Sequence, residues 1–413
     1  MEQFEQVEQI EQKRKNQFWK GALCGALAML AICLIVGGTL MIFSLMGRVA
    51  TDVSDKGIVT NRTLQKLEAI QKLIDECYLY SDEVDAEVLQ DYLIKGYVNG
   101  LQEPYSVYYD EAETTTLFES TSGTFGGIGV GIMQDTTSGL VTFTKIYKDS
   151  PGEKAGFKEG DIVYKVNGED VTSQDLDTIV SQIRGEIGTE VEITVLRGDD
   201  MEEYTGTATR ALIENDTVEY EMKDGKMGYI QVTGFEEVTL KQFEEALDDL
   251  NKQGMKGLII DLRSNPGGNL STVVDMVDFI LSEGTIVSVK DKNGNGNVYT
   301  AKKDNKLEVP LVVMINGYSA SASEIFAGAV KDHKLGTLVG TTTYGKGIVQ
   351  NIYSLNDGTS LKITSAEYFT PNGTNIHGIG VAPDVEIEYE YDENNPEKDN
   401  QLEKAIEVLK SGM

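Results

Sequence analysis

Gly257-Leu-Ile-Ile-Asp-Leu-Arg-Ser-Asn-Pro-Gly-Gly-Asn-Leu270 is the stretch on which the architecture turns. Gly257–Leu262 is an apolar run of strand length, Asn-Pro-Gly-Gly ends it, and the spacing of Leu, Val, Met and Ile over Leu270–Leu281 predicts a helix. The same order repeats on both sides. Upstream, Gly228–Val232 reads as a strand and Leu240–Gln253 as a helix. Downstream come a strand at Leu311–Ile315, a helix at Glu324–Asp332 and a strand at Leu335–Gly340. Alternation of this kind implies an α/β layer fold. Strands at Ile348–Leu355 and Ser360–Phe369 and a closing helix over 399–410 complete the C-terminal part.

Residues 118–210 have another character. Short β-rich runs (Ile128–Met133, Leu140–Ile146, Asp161–Val166, Glu190–Arg197) alternate with Gly and Pro turns, and one helical stretch lies near 173–184. Phe125-Gly-Gly-Ile-Gly-Val130 opens the region. A Gly-rich turn running into a strand presents successive backbone N–H groups that cradle a carboxylate, and the strand edge beside it accepts an extended peptide. Asp149-Ser-Pro-Gly-Glu-Lys-Ala-Gly-Phe-Lys-Glu-Gly-Asp-Ile-Val-Tyr-Lys-Val-Asn-Gly168 resembles the SPAxxAGLxxGDxIxxVNG signature of bacterial PDZ domains. By that resemblance Gly127, Ile128, Gly129 and Val130 receive a C-terminal carboxylate.

Toward the N-terminus, Leu64, Leu67, Ile70, Leu73, Ile74 and Cys77 share one face of a predicted helix over 61–77. A second is predicted over 84–99. The pair reads either as a packing cap or as the arm of a homodimer. From Gly21 to Gly47 there is no charged residue, a length that spans a hydrocarbon core. Trp19 and Lys20 suit the interface at its start. A cleaved signal peptide, the other reading, has a shorter apolar core. Lys13, Arg14, Lys15 and Lys20 precede the run and Arg48, Lys56 and Arg62 follow it, which leans toward a short cytoplasmic tail and an extracytoplasmic catalytic body.

The net charge of −31 argues against nucleic acid as a partner, because phosphate binding requires clustered Lys and Arg. Two of the three cysteines fall inside the apolar run, so no disulfide framework is available. Two histidines, His333 and His377, are too few for a zinc site built on imidazoles. One hydrophobic span excludes a transporter or channel.

Three segments carry candidate chemistry: Asp261-Leu-Arg-Ser-Asn-Pro-Gly-Gly268, Ser319-Ala-Ser-Ala-Ser-Glu-Ile325 and Thr343-Tyr-Gly-Lys-Gly-Ile-Val-Gln350. In this order, behind a PDZ-like region, they resemble the DLRxNPGG, SASASEI and TFGKGxVQ marks of the carboxyl-terminal processing (tail-specific) peptidase family. Glu103-Pro-Tyr-Ser-Val-Tyr-Tyr109 and Gly380-Val-Ala-Pro-Asp384 match as well, and Tyr344 stands where the family usually has Phe. The resemblance implies a nucleophile at Ser321, a general base at Lys346 and a supporting Gln350. It also implies backbone oxyanion donors at Gly267 and Ala322, and needs no metal or organic cofactor.

Physical chemistry supports those roles separately. A serine hydroxyl is a weak nucleophile until a neighbouring base takes its proton. A lysine serves as that base only when burial lowers its pKa. Gly345 and Gly347 flank Lys346 and permit close approach of the chain. Ser321 opens a helix, whose free N–H groups favour a developing oxyanion. Ser321-Ala-Ser-Glu324 also reads as a capping box, in which Ser321 merely caps the helix and Glu324 is structural. Ser319 and Ser323 are alternative nucleophiles, and His333 and His377 the only imidazoles for a triad. His333 falls about three turns along the serine helix, too far from Ser321.

The expected layout is a tail (1–20), a transmembrane anchor (21–47), a helical arm (48–117), a PDZ domain (118–210), a crotonase-like α/β Ser/Lys peptidase core (211–390) into which the PDZ is inserted, and a C-terminal helix (391–413). The expected function is a membrane-anchored endopeptidase acting on protein or peptide substrates with free C-termini. Arg184, just after the predicted PDZ helix, is expected to couple PDZ to protease through an acidic partner. The rival from another class is a non-catalytic, membrane-tethered PDZ adaptor.

Overall fold

The computed structural model describes Gly57, residues 59–302 and residues 307–413, so the expected tail at 1–20 and anchor at 21–47 lie outside the described residues. Among the described residues no helix is long and apolar enough to cross a membrane. The chain divides into two units, residues 1–89 and 90–413.

In the first unit the helix Asn61–Cys77 forms over the predicted span. Thr60 caps it, its Oγ1 accepting the Thr63 N–H at 3.2 Å. None of the helix's residues is buried, and Leu64, Ile70 and Leu73 of its apolar stripe stand exposed. A second helix, Ala86–Asn99, spans the division between the units.

The second unit is built on a six-stranded sheet in the order Val218–Lys223, Met227–Val232, Gly257–Asp261, Leu311–Ile315, Thr337–Gly340, Val385–Glu386. The first pair is antiparallel and the rest are parallel. Gly257–Asp261 and Leu311–Ile315 are buried at every position, which is why they read as unbroken apolar runs. Alternate residues serve opposite faces. Ile230, Leu258, Ile260, Val313 and Leu338 pack under the helices Thr239–Lys252, Leu270–Asp278 and Ala322–Asp332. Met227, Ile259, Val312 and Val339 face the closing helix Asn400–Gly412 through Ala405 and Leu409. Phe235, Phe243 and Phe326, fully buried on the first side, each contribute about 1.5–3 kcal/mol by leaving water.

A second sheet centres on Ser360–Phe369. It pairs with Ile348–Ser354 on one side and with Val107–Tyr109 and Gly284–Asp291 on the other, and Gly296–Ala301 flanks the last. Val107–Tyr109, assigned from sequence to the arm, therefore belongs to the core. So does the helix Glu111–Ser122, which the boundary at 117 cuts: its last carbonyls accept Glu237 and Val238 N–H groups from the core.

The β-rich module forms its own sheet, in the order Val130–Gln134, Val141–Ile146, Ile162–Val166, Glu190–Arg197, Glu202–Thr209. The strand expected at Ile128–Met133 forms at Val130–Gln134, and a separate strand precedes it. Thr124–Gly127 pairs antiparallel with Ala211–Glu214, Gly129 turns the chain at φ +70°, and Val130–Gln134 joins the module as its edge. The Thr124–Gly127/Ala211–Glu214 ribbon brings the chain into the module and out again. Both connections of the module thus run through this ribbon.

Candidate active site

Three adjacent parallel strands, Gly257–Asp261, Leu311–Ile315 and Thr337–Gly340, deliver the three motif segments from their carboxyl ends. This is the edge at which open α/β sheets hold ligands. Arg263 anchors the first turn, pairing with Asp261 and Asp399 at 2.7 Å each; despite burial those carboxylates raise its pKa and keep it charged. Asn316 fastens the second segment to the first, its Oδ1 accepting the Ser264 N–H at 2.9 Å and the Tyr318 N–H at 3.0 Å.

Ser321 is the N-cap of Ala322–Asp332 and sits at φ +55°, ψ −112°, a conformation that costs a non-glycine residue about 1–3 kcal/mol. Of the capping box read from sequence, the Glu324 side chain accepts the Ser321 N–H, while the Glu324 N–H is donated to the Ser321 carbonyl at 2.9 Å. Gly267 explains the close fit on the other side. At φ +108°, a Cβ there would lie 2.8 Å from Ser321 Cβ and 3.0 Å from Ala322 N, so only glycine leaves room for the serine turn.

Glu324, fully buried, ties the serine and lysine segments together. Its Oε2 accepts the Ser321 N–H and the Lys346 N–H, both at 2.8 Å. Its Oε1 accepts Thr343 Oγ1–H at 2.6 Å and the Gly345 N–H at 2.7 Å. Tyr368 makes a matching bridge between carbonyls. Its hydroxyl donates to Lys346 O at 2.6 Å and lies 3.0 Å from Ser321 O.

Ser321, Ala322, Lys346 and Gln350 line one cavity of about 320 Å³, together with Gly268, Lys362 and Tyr368. The Lys346 Nζ lies 4.5 Å from the centre of the Tyr105 ring and, among the described residues, forms no ion pair. Burial lowers its pKa below the ordinary lysine value. Repulsion from Lys362 adds to this, against the opposing pull of Glu103 and Glu324. Gln350 Nε2 donates to Thr364 Oγ1 at 3.1 Å, whose hydroxyl donates to Glu103 Oε2 at 3.0 Å, fixing the amide at the cavity wall.

One expected donor is engaged elsewhere. The Gly267 N–H is donated to Asn265 Oδ1 at 2.8 Å, because Asn265 closes an Asx turn over Pro266. Gly267 does not line the cavity, whereas Gly268 and Ala322 do. Ala322 is the first helical residue, so its N–H has no intrahelical acceptor.

A second cavity, about 230 Å³, lies in the inserted module between Val130–Gln134 and the helix Leu176–Ile183. Gly127, Ile128, Gly129, Val130, Ile132, Val180 and Arg184 line it. Val130–Gln134 is an edge strand with only Val141–Ile146 beside it, leaving the other edge for an added strand. Arg184 stacks 4.3 Å from the Phe125 ring centre, and its guanidinium pairs with Glu119 of Glu111–Ser122 at 3.1 Å.

The alternatives are occupied or displaced. Ser319 and Ser323, both buried, donate to Leu262 O at 2.7 Å and Asn265 O at 2.9 Å. His333 ends the serine helix and bonds to Thr285 O at 2.6 Å. His377 is exposed, its backbone packed so close to Gly347 that a Cβ there would lie 2.6 Å from the His377 N. Among the described residues no cluster of His, Cys, Asp and Glu could hold a metal ion.

Residues 226–387 match the model of peptidase family S41, residues 142–197 that of the PDZ domain, and residues 44–114 that of the N-terminal domain of the activating protease CtpB. Carboxy-terminal processing protease CtpA of Bacillus subtilis strain 168 is 38% identical over 310 residues, 75% of this chain and 66% of that protein. A carboxy-terminal-processing protease of Bartonella bacilliformis is 36% identical over 305 residues, 72% of this chain and 70% of that one. The chain belongs to peptidase family S41. It spans about two thirds of the length of these curated relatives. A solved structure assigned to the S41 proteases, from Bacteroides fragilis NCTC 9343, shares the fold at TM-score 0.50 and 14% identity, covering 83% of this chain and 97% of that one.

For an S41 chain, the residues that sequence reasoning did not single out are those joining its motifs. Tyr368 and Glu103 lie outside the three segments; Glu103 opens a stretch that matches the family, but nothing in it signals the tie to Thr364, and nothing local marks Tyr368. Glu324 was visible as the third residue of a capping box, but a capping box signals only its tie to Ser321. Its bonds to Thr343, Gly345 and Lys346 depend on strands that lie far apart in sequence.

Proposed function

We propose that this chain is a serine endopeptidase that cleaves proteins near their C-termini with Ser321 as nucleophile and Lys346 as general base. The observation that carries the reading is the pairing of the two residues in one cavity, their backbones joined through Glu324, with the lysine's pKa lowered by burial and, among the described residues, no ion pair on its Nζ.

In this reading neutral Lys346 takes the Ser321 Oγ proton as Oγ bonds to the substrate carbonyl carbon. The carbonyl electron pair moves onto oxygen, beside the backbone of Ala322 and Gly268. As the tetrahedral centre collapses, its carbon–nitrogen bond breaks and the Lys346 ammonium returns the proton to the leaving nitrogen. Water then repeats the sequence on the ester, Lys346 again acting as base, and releases Ser321. Gln350 orients the substrate chain at the cavity wall.

The PDZ groove holds the substrate's terminal carboxylate on the N–H groups of the 127–130 turn, and Arg184 transmits occupancy through Glu119. Residues 21–47 anchor the chain in the membrane with its catalytic part outside the cytoplasm. Deleting residues 1–50 then moves the protein from the membrane fraction to the supernatant.

The deciding experiment is Lys346→Arg. Arginine keeps the charge but does not lose its proton, so it cannot act as a base. Cleavage of a reporter peptide is lost, while the melting temperature and PDZ peptide affinity stay near wild type. Ser321→Ala is equally inactive, and the double variant is no worse than either. Substantial turnover by Lys346→Arg overturns the dyad.

A further inference from the structure

Lys346 lines two cavities, and only one of them contains Ser321. The other, about 450 Å³, is walled by Tyr105, Pro266, Tyr318, Ala320, Tyr344 and Lys346. Pro266 and Lys346 are common to both, so the spaces adjoin across the catalytic lysine. Tyr318 is 74% exposed and Tyr344 58%, large rings left in water beside the cleft. Tyr105 Oη donates to Tyr344 Oη at 3.4 Å, tying the two rings on one wall.

We infer that Tyr105, Tyr318 and Tyr344 form a subsite for the side chain of the residue just after the scissile bond, and that it selects apolar and aromatic side chains there. The inference rests on the Ser321–Lys346 reading. A base that takes the serine proton must hand it to the leaving nitrogen, so that nitrogen stands at Lys346. The residue carrying it stands beside Lys346, and this cavity opens against Lys346 with Ala320, and not Ser321, in its wall.

The chemistry of the occupant follows from the walls and from Lys346. Three rings and a proline offer mostly apolar surface. A substrate carboxylate there would favour the protonated lysine and suppress the base. A substrate ammonium or guanidinium would repel the charge Lys346 acquires on taking the serine proton. A neutral side chain with a large apolar surface meets neither penalty.

The test uses the intact protein and two readouts. First, peptides identical except for Phe, Leu, Ser or Asp after the cleaved bond are compared on wild type and Tyr318→Ser. Wild type favours Phe and Leu over Ser by about tenfold or more in kcat/KM, and Tyr318→Ser erases most of that ratio. An unchanged ratio in the variant, or none in wild type, overturns the inference. Second, a peptide with a benzophenone side chain at that position is photocrosslinked to Ser321→Ala and mapped by mass spectrometry. Label at Tyr318, Tyr344 or their neighbours is expected, and label confined elsewhere overturns the subsite. Because crosslinking needs no turnover, it judges the subsite even if Lys346→Arg retains activity and the dyad falls.

Discussion

The backbone N–H groups of Ser321 and Lys346 end on one atom, Glu324 Oε2, which lies 2.8 Å from each. The serine follows one strand of the sheet and the lysine the next, so their relative position would otherwise depend on two separate loops. A charge-assisted bond to each N–H is stronger than a neutral one, and a buried carboxylate accepting four donors has little freedom to shift. Glu324 thus holds the two backbones in fixed relation.

Glu324→Gln tests this directly. The amide keeps the shape but offers one acceptor oxygen, and its NH₂ faces N–H donors. We expect kcat to fall by about two orders of magnitude, with stability to urea lowered by about 2–4 kcal/mol. KM for a peptide held by the PDZ groove should move little. A kcat near wild type would mean that the two loops hold the pair unaided.

Lys362 gives a pH signature. The Lys346 pKa is lowered first by burial and then by Lys362, while Glu103 and Glu324 act the other way. With Lys346 as the proposed base, it must be neutral to act, so the rate should rise with pH through the depressed pKa and level off above it. Removing the Lys362 charge raises the Lys346 pKa and moves that limb to higher pH. Lys362→Met should therefore lose most at the acidic end and recover as pH rises, and Lys362→Arg should restore the wild-type profile. A limb that stays in place in Lys362→Met refutes the coupling.

Gly267→Ala places a methyl 2.8 Å from Ser321 Cβ and 2.8 Å from Ala320 O, at a φ of +108° that alanine avoids. The serine turn must shift to admit it. Activity should drop well below one hundredth of wild type, with a stability loss of about 2 kcal/mol or more, whereas alanine at exposed Gly373, which shares a positive φ of +82° but has open space around it, should leave activity near wild type. Comparable activity of Gly267→Ala and wild type would show the turn to be pliable.

Substrate tails supply the last prediction. If the 127–130 N–H groups accept a substrate's terminal carboxylate, as proposed, amidating a peptide's C-terminus removes that anion and affinity should fall about tenfold. Arg184→Ala should lower affinity, turnover or both, because the guanidinium lines the groove and pairs with Glu119. Equal binding and cleavage of free-acid and amidated peptides, or a silent Arg184→Ala, would detach tail reading from catalysis.

The sequence was legible where burial or glycine chemistry is strong. Gly257–Asp261, Leu311–Ile315 and Ser360–Phe369 carry the apolar or β-branched runs that strands require, and each forms where expected. Glu202–Thr209 escaped because, of the residues that turn inward, Gly206 and Ala208 are small and Tyr204 alone is large; its pairing to Glu190–Arg197 decides its structure. The helix Glu111–Ser122 was hidden for a related reason: its threonines and serines bond to carbonyls one turn back and only Thr114 is buried. At the site, motif residues could be named singly, but the Asn265 side chain that captures the Gly267 N–H could not be placed from spacing alone.

The ribbon of Thr124–Gly127 against Ala211–Glu214 has an architectural consequence. Gly127 and Ala211 are direct cross-strand partners, so the two ends of the tail-reading module leave the core side by side. A two-residue turn could join them and close a hairpin, letting residues 128–210 be excised or exchanged without redirecting the chain elsewhere. The core is in this sense a socket. Selection of substrates can be rewritten by swapping what is plugged into it, while Ser321 and Lys346 keep their shared carboxylate.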